Sequence, residues 1–220
     1  MRTSAVDPFE RVVKETLLSR KPRRKSWWVA VTSLVLLLAV SVVYWTDLLG
    51  LASELPATGE RVFRHNEYWR LATSIATHAD FRHFLSNGVA FGILSFLLYG
   101  YFGSLVYPTL TWGLGALVTG LALTTYPAAT RLVGASGVVY LMAGFWLTMY
   151  LFIERRYRPL KRFTRAFGFA LIVLVPTVWE PSVSYRTHAI GFGVGVLFGL
   201  IFFTKRREFL RRAEQVEWDY

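Results

Sequence analysis

Long uncharged apolar runs separated by short polar breaks dominate this chain. The first covers residues 27–45, holds no charged side chain and has Trp27 and Trp45 at its ends. A helix needs about 20 mostly apolar residues to cross the hydrocarbon core, and tryptophan is the expected anchor at its edges. Further runs follow at 81–102, 105–126, 132–153, 163–179 and 187–203, the fifth with Pro176 near its end. The pattern predicts an all-α membrane protein, a bundle of six transmembrane helices over residues 27–204. The connection 46–80 is the long one, and loops of that length are commonly functional. Gly103 and Ser104 leave almost no loop between the second and third runs, so those two should form a tight hairpin. Ahead of the bundle, residues 1–26 form a basic tail. In it Asp7 is placed as an N-cap and Pro8 in a first turn, with Phe9, Val12, Val13 and Leu17 on one face. That spacing predicts a short amphipathic helix lying on the membrane surface. Residues 205–220 form a second basic tail.

Composition agrees with the pattern. Hydrophobic residues make up 54% of the 220 and charged residues 18%, and the mean hydropathy is +0.38. A soluble domain carries about 25% charged residues, and 16% aromatic content is too much apolar surface for a disordered chain. The absence of cysteine rules out disulfides, thiolate metal sites and cysteine nucleophiles. The net charge of +11 changes the picture only through its distribution. Nineteen of the 25 Lys and Arg residues lie in 1–26, 154–165 and 205–220, all on one side of a six-span topology. By the positive-inside bias both termini are then cytoplasmic, with 46–80 on the outer side. Charge spread over three loops beside spans is no nucleic-acid footprint, so no nucleic-acid partner is expected.

Polar groups inside spans are costly and point to function. In the second run His83 and Asn87 are four apart and share a helical face. The fourth opens with Gly134-Ala135-Ser136-Gly137, and Tyr140 lies one turn beyond Ser136. In the sixth, His188, Gly191, Gly195 and Gly199 form a narrow stripe that lets another helix backbone approach. Each feature alone has a packing explanation. Together, under this topology, they bring a hydroxyl, an imidazole and further hydrogen-bond donors to one depth in three helices. Acyl transfer needs that set: a nucleophile, a base and donors for the oxyanion. No acidic residue lies in the six runs, so the arrangement would be a Ser–His dyad.

These residues resemble the rhomboid family of intramembrane serine proteases, over roughly residues 60–204. The Gly134–Gly137 string matches the family's GxSG motif, with Ser136 as nucleophile. His188, with Gly191 and Gly195, matches the last-helix histidine, and Tyr140 the aromatic residue packed on it. His83 and Asn87 match the pair that assists the oxyanion. Trp69 and Arg70 match a pair in the first loop, where Glu67 stands at an often acidic position. The chain departs from the pattern at 97–100, which reads Leu-Leu-Tyr-Gly, and at Thr187, where alanine is commoner. The resemblance implies a serine endopeptidase that cleaves transmembrane segments of other proteins near their outer end. It further implies a lateral gate at the fifth helix and loop 180–186. No metal or other cofactor is expected, and the compact size fits a prokaryotic plasma membrane, with an organelle membrane as the alternative.

Other readings remain. A non-catalytic relative would bind and escort transmembrane helices. A transporter would need a polar path through the cytoplasmic halves of the spans, which are apolar. A haem carrier would use His83 and His188 and leave Ser136 and Asn87 unexplained. The Leu55–Gly59 string, LPATG, resembles a sortase signal, but five further spans follow it where such a signal precedes only one.

Overall fold

The computed structural model describes residues 10–178 and 184–219. Its helices are α1 (Ser26–Trp45), α2 (Arg70–Ala76), α3 (Phe81–Phe102), α4 (Thr111–Leu123), α5 (Ser136–Ile153), α6 (Pro159–Val178) and α7 (Tyr185–Arg212). Five segments are long and apolar enough to cross a membrane: α1, α3, the stretch Leu105–Leu123 that includes α4, α5, and α7. This is an integral membrane protein. The remaining long helix, α6, carries Lys161, Arg162 and Arg165 in its first turns and packs against α5 and α3.

Local chemistry sets the helix ends. Asp80 caps α3 by accepting from the His83 N–H at 2.8 Å, which satisfies one of the open donors of a first turn. Gly103 ends α3 at φ +80°, a conformation strained for any residue with a Cβ. The third run bends at Tyr107, whose φ −129° and ψ 127° are extended. The cause is Pro108, whose ring disfavours helical geometry in the residue before it. The fourth run starts at Ser136 rather than at 132, because Leu132 pairs with Ala57 in an isolated antiparallel bridge. The Leu55–Gly59 string therefore has a structural use: Ala57 N–H donates to Leu132 O at 3.1 Å and Leu132 N–H donates back at 2.8 Å.

The core is α5 against α7. Gly144 and Gly195 stand where an added Cβ would collide with the carbonyl oxygens of Phe192 and Leu141. An added Cβ at Gly191 would collide with the Gly137 carbonyl oxygen. In lipid there is no hydrophobic drive between helices, so such close backbone approach supplies the packing energy.

The N-terminal tail differs from expectation. The described part of the amphipathic helix expected at 7–18 is a strand, β1 (Glu10–Glu15), followed by a short 3₁₀ turn at Leu17–Ser19. Residues 7–9 lie outside the described residues. β1 pairs antiparallel with β2 (Gln215–Asp219) in a two-stranded sheet. An isolated helix of this length is marginal in water, whereas β2 satisfies the strand's backbone, and Val12 and Val13 suit it. The C-terminal basic tail is likewise ordered, continuing α7 to Arg212. The same end is knit by side chains. Buried Glu154 accepts from Arg156 at 2.7 and 2.9 Å and from Thr16 at 3.4 Å, and Glu214 accepts from Arg155 at 3.2 Å and Arg211 at 2.6 Å.

Replacing Gly195 by alanine should destabilise the fold by about 1–3 kcal/mol through overpacking. Gly193→Ala, where the new methyl meets nothing within 4 Å, should be close to neutral. Denaturant unfolding in detergent, with the two variants side by side, checks this; equal stability would refute the assigned contact.

Candidate active site

Ser136 is the first residue of α5, and the segment before it is fastened donor by donor. Gly134 N–H donates to Ser74 O at 2.9 Å, and Ala135 N–H donates to His78 Nε2 at 3.3 Å. Among the described residues the Ser136 N–H makes no intramolecular bond. The first open donor of this helix terminus is thus the serine's own.

Gly134 holds φ +112°, and a Cβ there would lie 2.8 Å from Cε1 and Nε2 of His83. The His83 ring therefore rests on the loop two residues before Ser136. Ala79 N–H donates to His83 Nδ1 at 3.4 Å. That bond requires a lone pair on Nδ1, which puts the proton on Nε2 in the neutral ring, on the Gly134 side. Asn87 is buried on the same face; its Nδ2 donates to the His83 carbonyl at 2.9 Å, and its Oδ1 has no partner among the described residues.

His188 lies in the first turns of α7, which Ser184 caps by accepting from Thr187 N–H at 3.3 Å. It is 5% exposed. Its imidazole stacks on Tyr140, with centroids 4.0 Å apart and planes 14° apart. The neighbours of the two key side chains touch directly. Gly191 abuts the Gly137 carbonyl, and a Cβ on Gly137 would lie 2.8 Å from Thr187 Cγ2. Among the described residues no hydrogen bond joins Ser136 and His188. Such bonds are often long in unliganded sites and tighten with substrate.

Glu67, Trp69 and Arg70 lie elsewhere, in the first loop. Arg70 is fully buried and bonds Glu67, Glu54 Oε2 at 2.6 Å, Ser53 O at 2.8 Å and Pro56 O at 3.2 Å. Trp69 is half exposed beside the guanidinium. None of these partners belongs to the Ser136 cluster. Arg70 folds the loop that carries Ala57 to Leu132, so its contribution is to the brace behind the site.

His78 escaped the sequence reading. It sits in the polar run Thr77-His78-Ala79-Asp80, outside any helical face, so no spacing rule selects it. The available signal was scarcity. The chain has 4 histidines, and His78, His83 and His188 all adjoin the Ser136 segment or the helix facing it. The expected gate loop, 180–186, falls largely on residues 179–183, which lie outside the described residues.

Residues 65–205 match the Rhomboid domain family. That is most of the chain, and the protein belongs to the rhomboid family. A comparison with curated proteins returns no match.

The Glu67 carboxyl is held below its ordinary 4.5, first by the Arg70 hydrogen bond and then by the Arg70 and Arg61 charges, against the opposing effect of burial. A lowered folded-state pKa adds stability above the unfolded value, and that stability is lost as pH falls through the folded value. Stability should therefore drop on acidification below about pH 4.5, and Glu67→Gln should flatten that part of the profile. Arg70→Ala should lower stability by roughly 1–3 kcal/mol, because it removes the shared partner of two part-exposed carboxylates and leaves the Ser53 and Pro56 carbonyls without their donor. Unfolding curves at several pH values check both.

Proposed function

We propose that the protein is an intramembrane serine endopeptidase working through a Ser136–His188 dyad. The observation that carries this reading is the convergence at one helix start: Ser136 with its N–H open, the Nε2–H of His83 beside Gly134, and His188 stacked on Tyr140 one contact away. No Asp or Glu occurs from 81 to 153, so Tyr140 stacking takes over the orienting work that a carboxylate does in a triad.

His188 removes the Ser136 proton as Oγ attacks the scissile carbonyl. The developing oxyanion accepts from the Ser136 N–H and the His83 Nε2–H, with the second Nδ2 proton of Asn87 as a further donor. His188 then protonates the departing amine, and water attacks the acyl-enzyme with His188 again as base. Tyr140, Gly134, Gly137, Gly191 and Gly195 hold the pieces in register. Substrates are transmembrane segments of other proteins, met within the bilayer. A helix must unwind locally to present a peptide bond, because its backbone is otherwise hydrogen-bonded.

The topology that goes with this has α6 as a sixth crossing and both tails in the cytoplasm. The β1–β2 pairing supports it, since two strands in one sheet lie on one side of a membrane. The basic bias of the tails and of 154–165 supplies the sign.

Cleavage of a model transmembrane substrate in liposomes tests the reading. Ser136→Ala and His188→Ala should each lower kcat at least about a thousandfold. His83→Ala and Asn87→Ala should each lower it about a hundredfold with little change in KM. A protein that binds substrates but cleaves none, and whose serine resists a fluorophosphonate, would instead be an escort of transmembrane helices. Replacing Gly or Pro near the substrate's cleavage site by Leu should slow the reaction; unchanged rates would sink the unwinding step.

A further inference from the structure

His78 is a fully buried histidine that the proposed chemistry does not use. It bridges three parts of the chain. Its Nε2 accepts from Ala135 N–H at 3.3 Å, and its Nδ1 lies 3.0 Å from Ser41 Oγ on α1. Its backbone carbonyl accepts from Trp45 Nε1 at 2.8 Å, also on α1. Its ring packs edge-on to His83 and Phe84, with centroids 5.3 and 5.4 Å away.

The bonds specify one protonation state. Accepting from Ala135 requires a bare Nε2, so the proton is on Nδ1 and is donated to Ser41 Oγ. Ser41 in turn donates to Leu37 O at 2.8 Å or Ala76 O at 3.1 Å. The chain of donors and acceptors closes only with a neutral imidazole. Its surroundings keep it neutral: burial first, then the neighbouring His83, push its pKa down to about 3.

An N–H at the start of a helix has no carbonyl four residues back to bond. Two such donors precede Ser136, and both are consumed, one by Ser74 O and one by His78. With them occupied, the first open donor at the start of α5 among the described residues is the one on Ser136 itself, followed by those of Gly137 and Val138. The same imidazole touches His83, the other oxyanion donor. We infer that His78 is a positioning residue, which by clamping the Ala135 N–H fixes the Ser136 segment against α1 and sets the oxyanion donors in place. This rests on the reading of Ser136 as nucleophile.

Three variants separate the clamp from mere packing. His78→Gln places an amide oxygen near the position of Nε2 and keeps an acceptor for Ala135. His78→Asn keeps a polar atom near Nδ1 for Ser41 but falls short of Ala135. Ser41→Ala removes the α1 partner alone. Full-length protein in liposomes is read three ways: cleavage kinetics, the rate of Ser136 labelling by a fluorophosphonate, and hydrogen exchange of the segment 133–137. His78→Asn should lower kcat about 10- to 100-fold at unchanged KM, the scale of a displacement of about 1 Å in a reacting group. It should also slow labelling and speed exchange at 133–137. His78→Gln should restore kcat and exchange protection to within about threefold of wild type, and Ser41→Ala should fall between.

Equal impairment of Gln and Asn variants, or losses that follow thermal stability alone, would overturn the inference and leave the catalytic reading standing. A wild-type protein whose serine resists the probe would overturn both, and exchange at 133–137 would then report only whether the tether exists.

Discussion

The backbone of α7 touches the backbone of α5, and the site depends on that contact. Glycines on both helices remove the side chains that would hold the two apart. Gly191 meets the Gly137 carbonyl, Gly195 meets Leu141 and Gly144 meets Phe192. Because Ser136 lies one residue before Gly137 and His188 one helical turn before Gly191, their relation is inherited from main-chain geometry rather than from flexible side chains. Tyr140, one turn into α5, then fixes the plane of the imidazole. For the proposed dyad, this stacking leaves little rotational freedom for a carboxylate to remove.

The second constraint comes from the first loop. Arg70 gathers Ser53, Glu54, Pro56 and Glu67 around one buried guanidinium. That cluster sets Ala57 opposite Leu132, two residues before Gly134. From the other side, Ser74 and His78 hold the N–H groups of Gly134 and Ala135. The serine therefore emerges from a segment gripped by loop and helix alike. A non-helical stretch at the edge of a membrane needs such partners, since buried backbone groups left unpaired are expensive.

Much of this was legible from residue pattern alone, for physical reasons. Apolar runs reveal helices in lipid because the bilayer imposes both length and composition, and α1, α3, α5 and α7 fall where the runs are. The polar residues stood out because little else in those runs is polar. Helix ends were less visible. Leu132 is apolar and extends the run, yet its pairing with Ala57 keeps it out of the helix. The tail strands were invisible for a different reason. Val12, Val13 and Leu17 are spaced as a helix would space them, and the partner that makes residues 10–15 a strand is about 200 positions away. His78 went unnoticed because its importance comes from Ser41 and Ala135, neither of which is near it in sequence.

The sheet that joins β1 to β2 bears on how the protein is made. Its first strand leaves the ribosome before α1, and its second leaves after α7. Glu10 cannot meet Asp219 until α7 has been inserted and its end has returned to the side where the N-terminal segment waits. During synthesis the early strand is an unpaired edge of the kind that attracts wrong partners. Its closure, together with the burial of Glu214 against Arg155 and Arg211, therefore comes after α1 through α7 have been inserted and reports that they have.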